Sequence, residues 1–487
     1  MPARARYQCR VSEADFVGRV RRYRPSTLVP LVARAGAANP DRSDWMERAI
    51  PPWALAEVAR VSMVLGTEFN RQHATGADLI KCADAYHNID DRDLRRNKEG
   101  AVADFLLRLG GEQLSWQQEP FHNLARTAAV FQRAPDPTRP PKVITGDWPE
   151  QVFGCSLVDY LNLAFVLHVG ALRNGGMFDP EWIEAPQFAE IRRNMPTELM
   201  RRVFESQFVG DRVRLRADQA GVEAKVGRPD PDYRRFGYNP LTKFPVVSGL
   251  DRYWWMPVSQ LLLRKASPIG VFYAGLEKFG KAFADDLGPL FEGYIGDHLR
   301  ELHPGVIDEV PYNEGKNAKL SVDYIVPFDQ CVLLVDVKST RPTEEIRLGG
   351  PGATDKLRAL LNHGIDQLSN TARLITDKHP SFTHIPADRP IIGLLVTMEP
   401  FPMVNTPFIA SSLTGCTVPY RIASAEEIEA LVRLRADDIG QRLLDHMTDP
   451  ERDGQSIKTL VESRPLDRNR VLDAAWSSIK WLGVDED

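Results

Sequence analysis

Four ionisable residues in the C-terminal half of this 487-residue sequence carry chemistry by type and spacing. Asp336 and Lys338 stand two apart at the end of the apolar run Cys331 to Lys338. In an extended chain they share one face, while Val335 and Val337 take the other. Asp323 lies upstream in the run Leu320 to Val326, where it alternates with Leu320, Val322, Tyr324 and Val326. Two close carboxylates repel unless a proton or a cation lies between them. A hard divalent cation such as Mg²⁺ suits an all-oxygen site; there it polarises a phosphoryl oxygen and lowers the pKa of bound water. A lysine beside it orients that water and offsets the charge that builds in the transition state. Glu292, further upstream, is a candidate to add a ligand or to support one.

These side chains need two strands in fixed register. Only Pro327-Phe328-Asp329-Gln330 separates the two runs, and so short a loop predicts an antiparallel hairpin with Val326 opposite Cys331. Asp323 then falls opposite Leu334, on the face of Asp336 and Lys338, with Asp323 and Asp336 diagonal neighbours about 7 Å apart at Cβ. A single bulge would reverse that parity. Cys331 to Lys338 reads as a central strand buried on both faces. Upstream, Phe272 to Leu287 is expected to be helical. The recurrence of Leu287, Phe291, Ile295, Leu299 and Leu302 then predicts a buried helical stripe with Glu292 at its edge. Gly293 and Gly296 each weaken that helix by about 1 kcal/mol, which implies close approach to a sheet. Downstream, Leu361, Ile365, Leu368, Ala372 and Ile375 predict a helix over 362–375, and Ile391 to Met398 an apolar strand.

The order Glu292, Asp323, Asp336-Val337-Lys338 resembles the PD-(D/E)XK nuclease superfamily, the restriction-endonuclease-like fold. That family's core is a helix carrying a Glu, a strand opening with the first Asp, a strand bearing (D/E)XK, then a further helix and a last strand. The resemblance covers roughly residues 275–440, about a third of the chain. It rests on the order of elements more than on the short triplet, and Ser321-Val322 stands before Asp323 where the family pattern has a proline. It implies a metal-dependent nuclease cleaving DNA phosphodiesters by water attack. Asp323, Asp336 and Glu292 would hold Mg²⁺ or Mn²⁺, Lys338 would position the nucleophile, and Gln367 would lie beside the site as in some members. It also implies a bacterial restriction or anti-phage defence effector, with DNA, a second copy or a defence-system protein as partner. The competing reading is a catalytically inactive nuclease-like module that binds nucleic acid or a protein. At residue level, Asp336 and Lys338 as a plain ion pair, and Glu292 and Gln367 as surface residues, are the structural alternatives.

The expected fold class is an α/β C-terminal domain with a mixed central sheet flanked by helices, preceded by a mainly α-helical region. The chain is expected to divide into a helical recognition or regulatory region over 1–240, a β-rich junction over 241–274, the part that resembles a nuclease domain over 275–440 and an acidic helical tail over 441–487. In the first region, five prolines between Pro135 and Pro149 mark an irregular connector, and Leu157 to Leu172 reads as a buried core helix too short and polar to span a bilayer. The pairs Arg192-Arg193, Arg201-Arg202 and Arg234-Arg235 are candidate phosphate contacts. Tyr253-Trp254-Trp255 reads as structural core. The glycine-rich stretch Leu348 to Lys356 lacks the P-loop order and is expected to be a mobile loop beside the site. Five scattered cysteines with no metal-clip spacing, and a polar start, fit a reducing cytosol and no membrane. Lys plus Arg number 61 against 66 Asp plus Glu, a net charge of −5 that excludes a uniformly basic coating protein. Residues 421–487 hold 10 of those bases and 15 of those acids, so the whole deficit lies in the tail and the rest is formally neutral.

Overall fold

The computed structural model describes residues 11–38, 50–69, 71–96, 100–113, 116, 120–349, 352–401, 403–434, 438–462 and 464–479. The N-terminal half is helical, and its helices start at recognisable signals. Ser12 and Asp15 form a capping box for α1 (Glu13–Val20), and proline opens both α2 (Pro25–Ala37) and α3 (Pro52–Leu65). Thr75 and Asp78 cap α4 (Gly76–His87). There follow α5 (Ala101–Gln113), α6 (Pro120–Phe131), α7 (Leu157–Arg173) and α8 (Arg212–Val226). Helix α7 is the buried core helix expected, with Tyr160, Leu161, Leu163 and Leu167 removed from solvent. Four two-residue strands, β1 (Met177–Phe178), β2 (Val209–Gly210), β3 (Val246–Val247) and β4 (Trp254–Trp255), form a small sheet in the order β1-β4-β3-β2. Its two tryptophans are buried and serve packing, each in a different apolar cluster.

Next come α9 (Pro268–Phe279) and α10 (Lys281–Leu302). The single helix expected over 272–287 is thus two, because Gly280 between them takes a φ of +62° that a helix does not contain. The larger sheet contains β5 (Ile307–Asp308), β8 (Tyr324–Pro327), β9 (Val332–Lys338), β10 (Ile391–Thr397) and β11 (Tyr420–Ser424), in the order β11-β10-β9-β8-β5. Between β5 and β8 a separate ribbon forms from β6 (Pro311–Glu314) and β7 (Asn317–Leu320). Strands β5, β8 and β9 are antiparallel neighbours, while β9, β10 and β11 run parallel. The sheet is therefore mixed, as expected. Helix α11 (Ala353–Thr376) makes the β9-to-β10 crossover.

Strand parity puts Tyr324, Val326, Leu333 and Val335 on one face, in one cluster with Phe291, Ile295 and Leu299 of α10. The other face presents Ile325, Val332, Leu334 and Leu395 to Leu361, Ile365 and Leu368 of α11. Beyond β11 come α12 (Ala425–Leu431), opened by the Ser424–Glu427 capping box, then α13 (Ile439–Thr448) and α14 (Arg470–Ser478). One apolar cluster runs from Leu124 to Ile479, so helices on both sides of residues 240 and 274 share a core.

Two details of the hairpin differ from expectation. Tyr324 pairs with Val335 and Pro327 with Val332, two residues away from the expected register. Two is a full strand period, so every side chain keeps its face. The first strand also begins at Tyr324, not Leu320, since Leu320 ends β7 and Ser321 to Asp323 form a bend. Side chains hold that bend: Ser321 Oγ accepts from the Val310 N–H at 2.9 Å, and Thr371 Oγ1 of α11 accepts from the Val322 N–H at 3.1 Å.

Candidate active site

Asp336, the fifth residue of β9, is completely buried. Strand parity sends it to the α11 face, into space left by Gly364. A Cβ at 364 would lie 2.6 Å from Asp336 Oδ2 and 2.5 Å from Leu395 Cδ1, so only glycine lets the helix pass there. Lys338 Nζ donates to Asp336 Oδ1 at 3.1 Å and stands 2.9 Å from Oδ2, which accepts no aligned hydrogen bond. The same ammonium donates to Gln367 Oε1 at 2.9 Å, and Gln367 Nε2 reaches the Ser321 carbonyl at 3.4 Å. Gln367 and Thr371 are one turn apart on α11, so this helix grips both Lys338 and the bend that carries Asp323.

Asp323 Oδ2 accepts from the Val337 N–H at 2.6 Å, which fixes it against the end of β9. Burial raises its carboxyl above the ordinary range, and the Asp336 charge raises it further against the pull of Val337 N–H and Lys338. Burial also raises Asp336, against the nearby Lys338 ammonium, with the charges of Glu292 and Glu309 adding to the rise. Two carboxyls that both resist ionisation are a site short of positive charge. An all-carboxylate oxygen set fits a hard divalent cation, with Asp323 and Asp336 as the residues to hold it.

Glu292 is near enough for its charge to raise both aspartates, but it bonds to neither. It projects from α10, on the opposite face of the sheet, and both its oxygens bind Arg139, at 2.8 and 2.6 Å. Arg139 belongs to the proline-rich connector, which Asp286 pins by accepting from the backbone N–H groups of Lys142, Val143 and Ile144 at 2.6–2.9 Å. As it stands the Glu292 carboxylate is held in a bidentate ion pair with Arg139, beside the Asp323–Asp336 pair and acting on it through its charge. Among the described residues, no three His, Cys, Asp or Glu side chains are arranged to hold a metal ion as they stand.

Two further expectations change. The glycine-rich loop is anchored, since buried Arg108 of α5 donates to the Gly349 carbonyl at 2.5 Å and to Asp91 at 2.8 Å; Gly350 and Pro351 lie outside the described residues. One arginine of each pair is engaged by the protein's own groups, Arg201 at the surface. Arg192 caps the Ile183 and Ala185 carbonyls, Arg201 pairs with Glu184 and Arg235 with Glu13. Sequence reasoning also missed Glu309, a half-buried carboxyl raised by burial and by the charges of Asp323 and Glu292. It lies just past β5, which is two residues long and leaves no periodic signal.

Comparison with known proteins adds no kinship. The chain matches no family model, no curated protein and no solved structure. Its chemistry has to be argued from its own residues. No helix among the described residues is long and apolar enough to cross a membrane.

Proposed function

We propose that this chain is a metal-dependent nuclease hydrolysing DNA phosphodiester bonds, built on a restriction-endonuclease-like core. One arrangement carries the reading: Asp323 and Asp336 meet at one end of a buried sheet, with Lys338 bonded to both Asp336 and Gln367. Mg²⁺ or Mn²⁺, when bound, supplies Lewis acidity at a phosphoryl oxygen and a lowered pKa for its water. Asp323 and Asp336 would hold it. Lys338, held by Gln367, would orient the attacking water and offset the charge developing on the phosphate. The setting consistent with this chemistry is cytoplasmic, in a restriction or anti-phage defence role, acting as a homo-oligomer or with a partner protein of that system.

A second reading, a nuclease-like module that binds nucleic acid or protein without cutting, draws on one observation. The carboxylate of Glu292, which the family pattern gives to the site, is taken up by Arg139.

Incubation of the purified chain with plasmid, linear and single-stranded DNA, with Mg²⁺, Mn²⁺ or EDTA, separates the two. The nuclease reading expects metal-dependent cleavage that Asp336→Ala and Lys338→Ala each reduce by roughly a hundredfold or more. DNA binding without cleavage under any metal would establish the non-catalytic module.

A further inference from the structure

Arginines gather beyond the C-terminal ends of β9 and β10. Strand register sets Thr397 of β10 opposite Lys338 of β9, so the chain leaves both strands at one edge of the sheet. Arg341 follows Lys338 by three residues. Its guanidinium lies over the Phe272 ring of α9, 3.7 Å from the centroid, and 5.3 Å from that of Tyr273, which is 44% exposed. Arg347 ends the short helix Glu344–Arg347, with its stem against Gly111 of α5. Arg264, in the helix Gln260–Lys265, stands over Trp116 at 6.0 Å and lies within electrostatic reach of Glu399, Arg347 and Tyr273.

These cations are short of acceptors. Among the described residues, the Arg341 and Arg347 side chains donate no hydrogen bond and form no ion pair, and the Arg347 Nε is buried as well. The two acids beside Arg347 are engaged otherwise: Glu344 accepts from the Tyr238 N–H at 2.9 Å, and Glu345 pairs with Lys356 at 2.5 Å. Glu399 is the carboxylate that acts on Arg264. Burial draws the Arg264 guanidinium below its ordinary range against the pull of Glu399, and the Arg347 charge adds to the fall. Partly desolvated guanidinium groups with unused donors match the planar, bidentate geometry of phosphate oxygens.

We propose that Arg264, Arg341 and Arg347 form a surface that holds the phosphates of a DNA strand next to Lys338. The proposal rests on the nuclease reading above and says where the backbone of its substrate lies. Three residues of extended chain span at most about 11 Å, or about three nucleotides at ~3.4 Å of rise each. Contacts of this kind fix a strand in position without reading its sequence.

The test is fluorescence anisotropy of labelled duplex and single-stranded oligonucleotides titrated with the full-length chain in EDTA, over a series of salt concentrations. Wild type is compared with Arg341→Gln, Arg341→Lys, Arg347→Gln and Arg193→Gln, with thermal unfolding to check each fold and metal-dependent cleavage measured in parallel. Arg341→Gln and Arg347→Gln should each weaken binding and flatten the slope of log K against log salt by roughly 0.7–0.9, the loss of one phosphate contact. Arg341→Lys keeps the charge and should keep the slope, a readout that loss of stacking on Phe272 alone would not move. Arg193→Gln, which removes a charge from a side chain 77% exposed in the N-terminal half, should bind as wild type does. Wild-type slopes in both Arg341→Gln and Arg347→Gln overturn the proposal, and cleavage by wild type would leave the nuclease reading standing. An equal loss in Arg193→Gln also overturns it, because overall charge alone would then govern binding. Wild type that neither binds nor cleaves DNA overturns both. The expected slopes without cleavage under Mg²⁺ or Mn²⁺ support the surface and overturn the nuclease reading.

Discussion

Gly364 decides how closely α11 lies on the sheet, and through that where the Asp336 carboxylate sits. A methyl group there meets Leu395 Cδ1 at 2.5 Å and Asp336 Oδ2 at 2.6 Å, so both side chains must shift, and both are fully buried. Overpacking of this kind costs about 1–3 kcal/mol. Gly364→Ala is therefore expected to lower the unfolding temperature and, below that temperature, to depress Mn²⁺ binding as well, because the carboxylate must move. Gly393→Ala is the matched control. Its added Cβ would meet Leu368 Cδ1 at 3.2 Å and the Tyr420 Cβ at 3.3 Å, a shortfall of a few tenths of an ångström and no contact with Asp336. Equal Mn²⁺ affinity in the two variants would show that Gly364 is not what shapes the site.

Among the elements, legibility followed periodicity. The stripes on α10 and α11 and the apolar runs of β9 and β10 were readable because burial imposes a repeat on them. The face shared by Asp323, Asp336 and Lys338 was readable for the same reason, and it survived a register error because that error was one whole strand period. The error itself came from Pro327, which extends β8 into the expected loop. Glu309 and Arg139 were not readable. The first sits beyond a two-residue strand, and the second reaches Glu292 across 153 positions of sequence. A third feature invisible in the sequence is the ionic cluster where α1, α3, α4, α5, α8 and the turn at 231–236 meet. Glu13 of α1 pairs with Arg235 at 3.2 Å, and Glu57 of α3 with Arg60, which also bonds Gln219 of α8 at 3.3 Å. Glu223 lies beyond Gln219, and Tyr86 of α4 donates to Glu112 of α5. Burial, then the Glu57 charge, lift the Glu13 carboxyl to about 7 against the pull of Arg235 and Arg60. A carboxyl raised in the folded state binds more protons there than in the unfolded chain, so its contribution is lost as pH rises from about 4.5 towards 7. The unfolding temperature is expected to drop between pH 5 and pH 8, and Glu13→Gln to shrink that drop by removing about 1–3 kcal/mol of the difference. An unchanged drop in Glu13→Gln would mean that Glu13 is ionised in the fold at both pH values.

For the whole molecule, the question is whether the third of the chain that resembles a nuclease is a separable unit. Arg126 of α6 binds Glu429 of α12 through both carboxylate oxygens, Tyr294 of α10 donates to the same carboxylate at 2.6 Å, and all three residues are buried. The Arg126 charge and hydrogen bonds draw the Glu429 carboxyl below its ordinary range against the cost of burial. Cutting the chain at 275 removes Arg126 and strands Glu429, and breaking a buried pair from one side costs roughly 3–5 kcal/mol. The same cut removes α6 and α7, whose Leu124, Ala128, Tyr160 and Leu163 belong to the cluster that covers the α10 face of the sheet. A single domain holds a net stability of only about 5–15 kcal/mol, so losing the pair together with that apolar cover should exceed what the fragment retains. The expected outcome is that residues 275–440 expressed alone show no cooperative thermal unfolding and bind no Mn²⁺, while the full chain does both. A fragment that melts sharply and keeps the Mn²⁺ site would instead show that α10, the sheet and α11 are self-sufficient. The N-terminal helices would then be attached to the site, not part of what builds it.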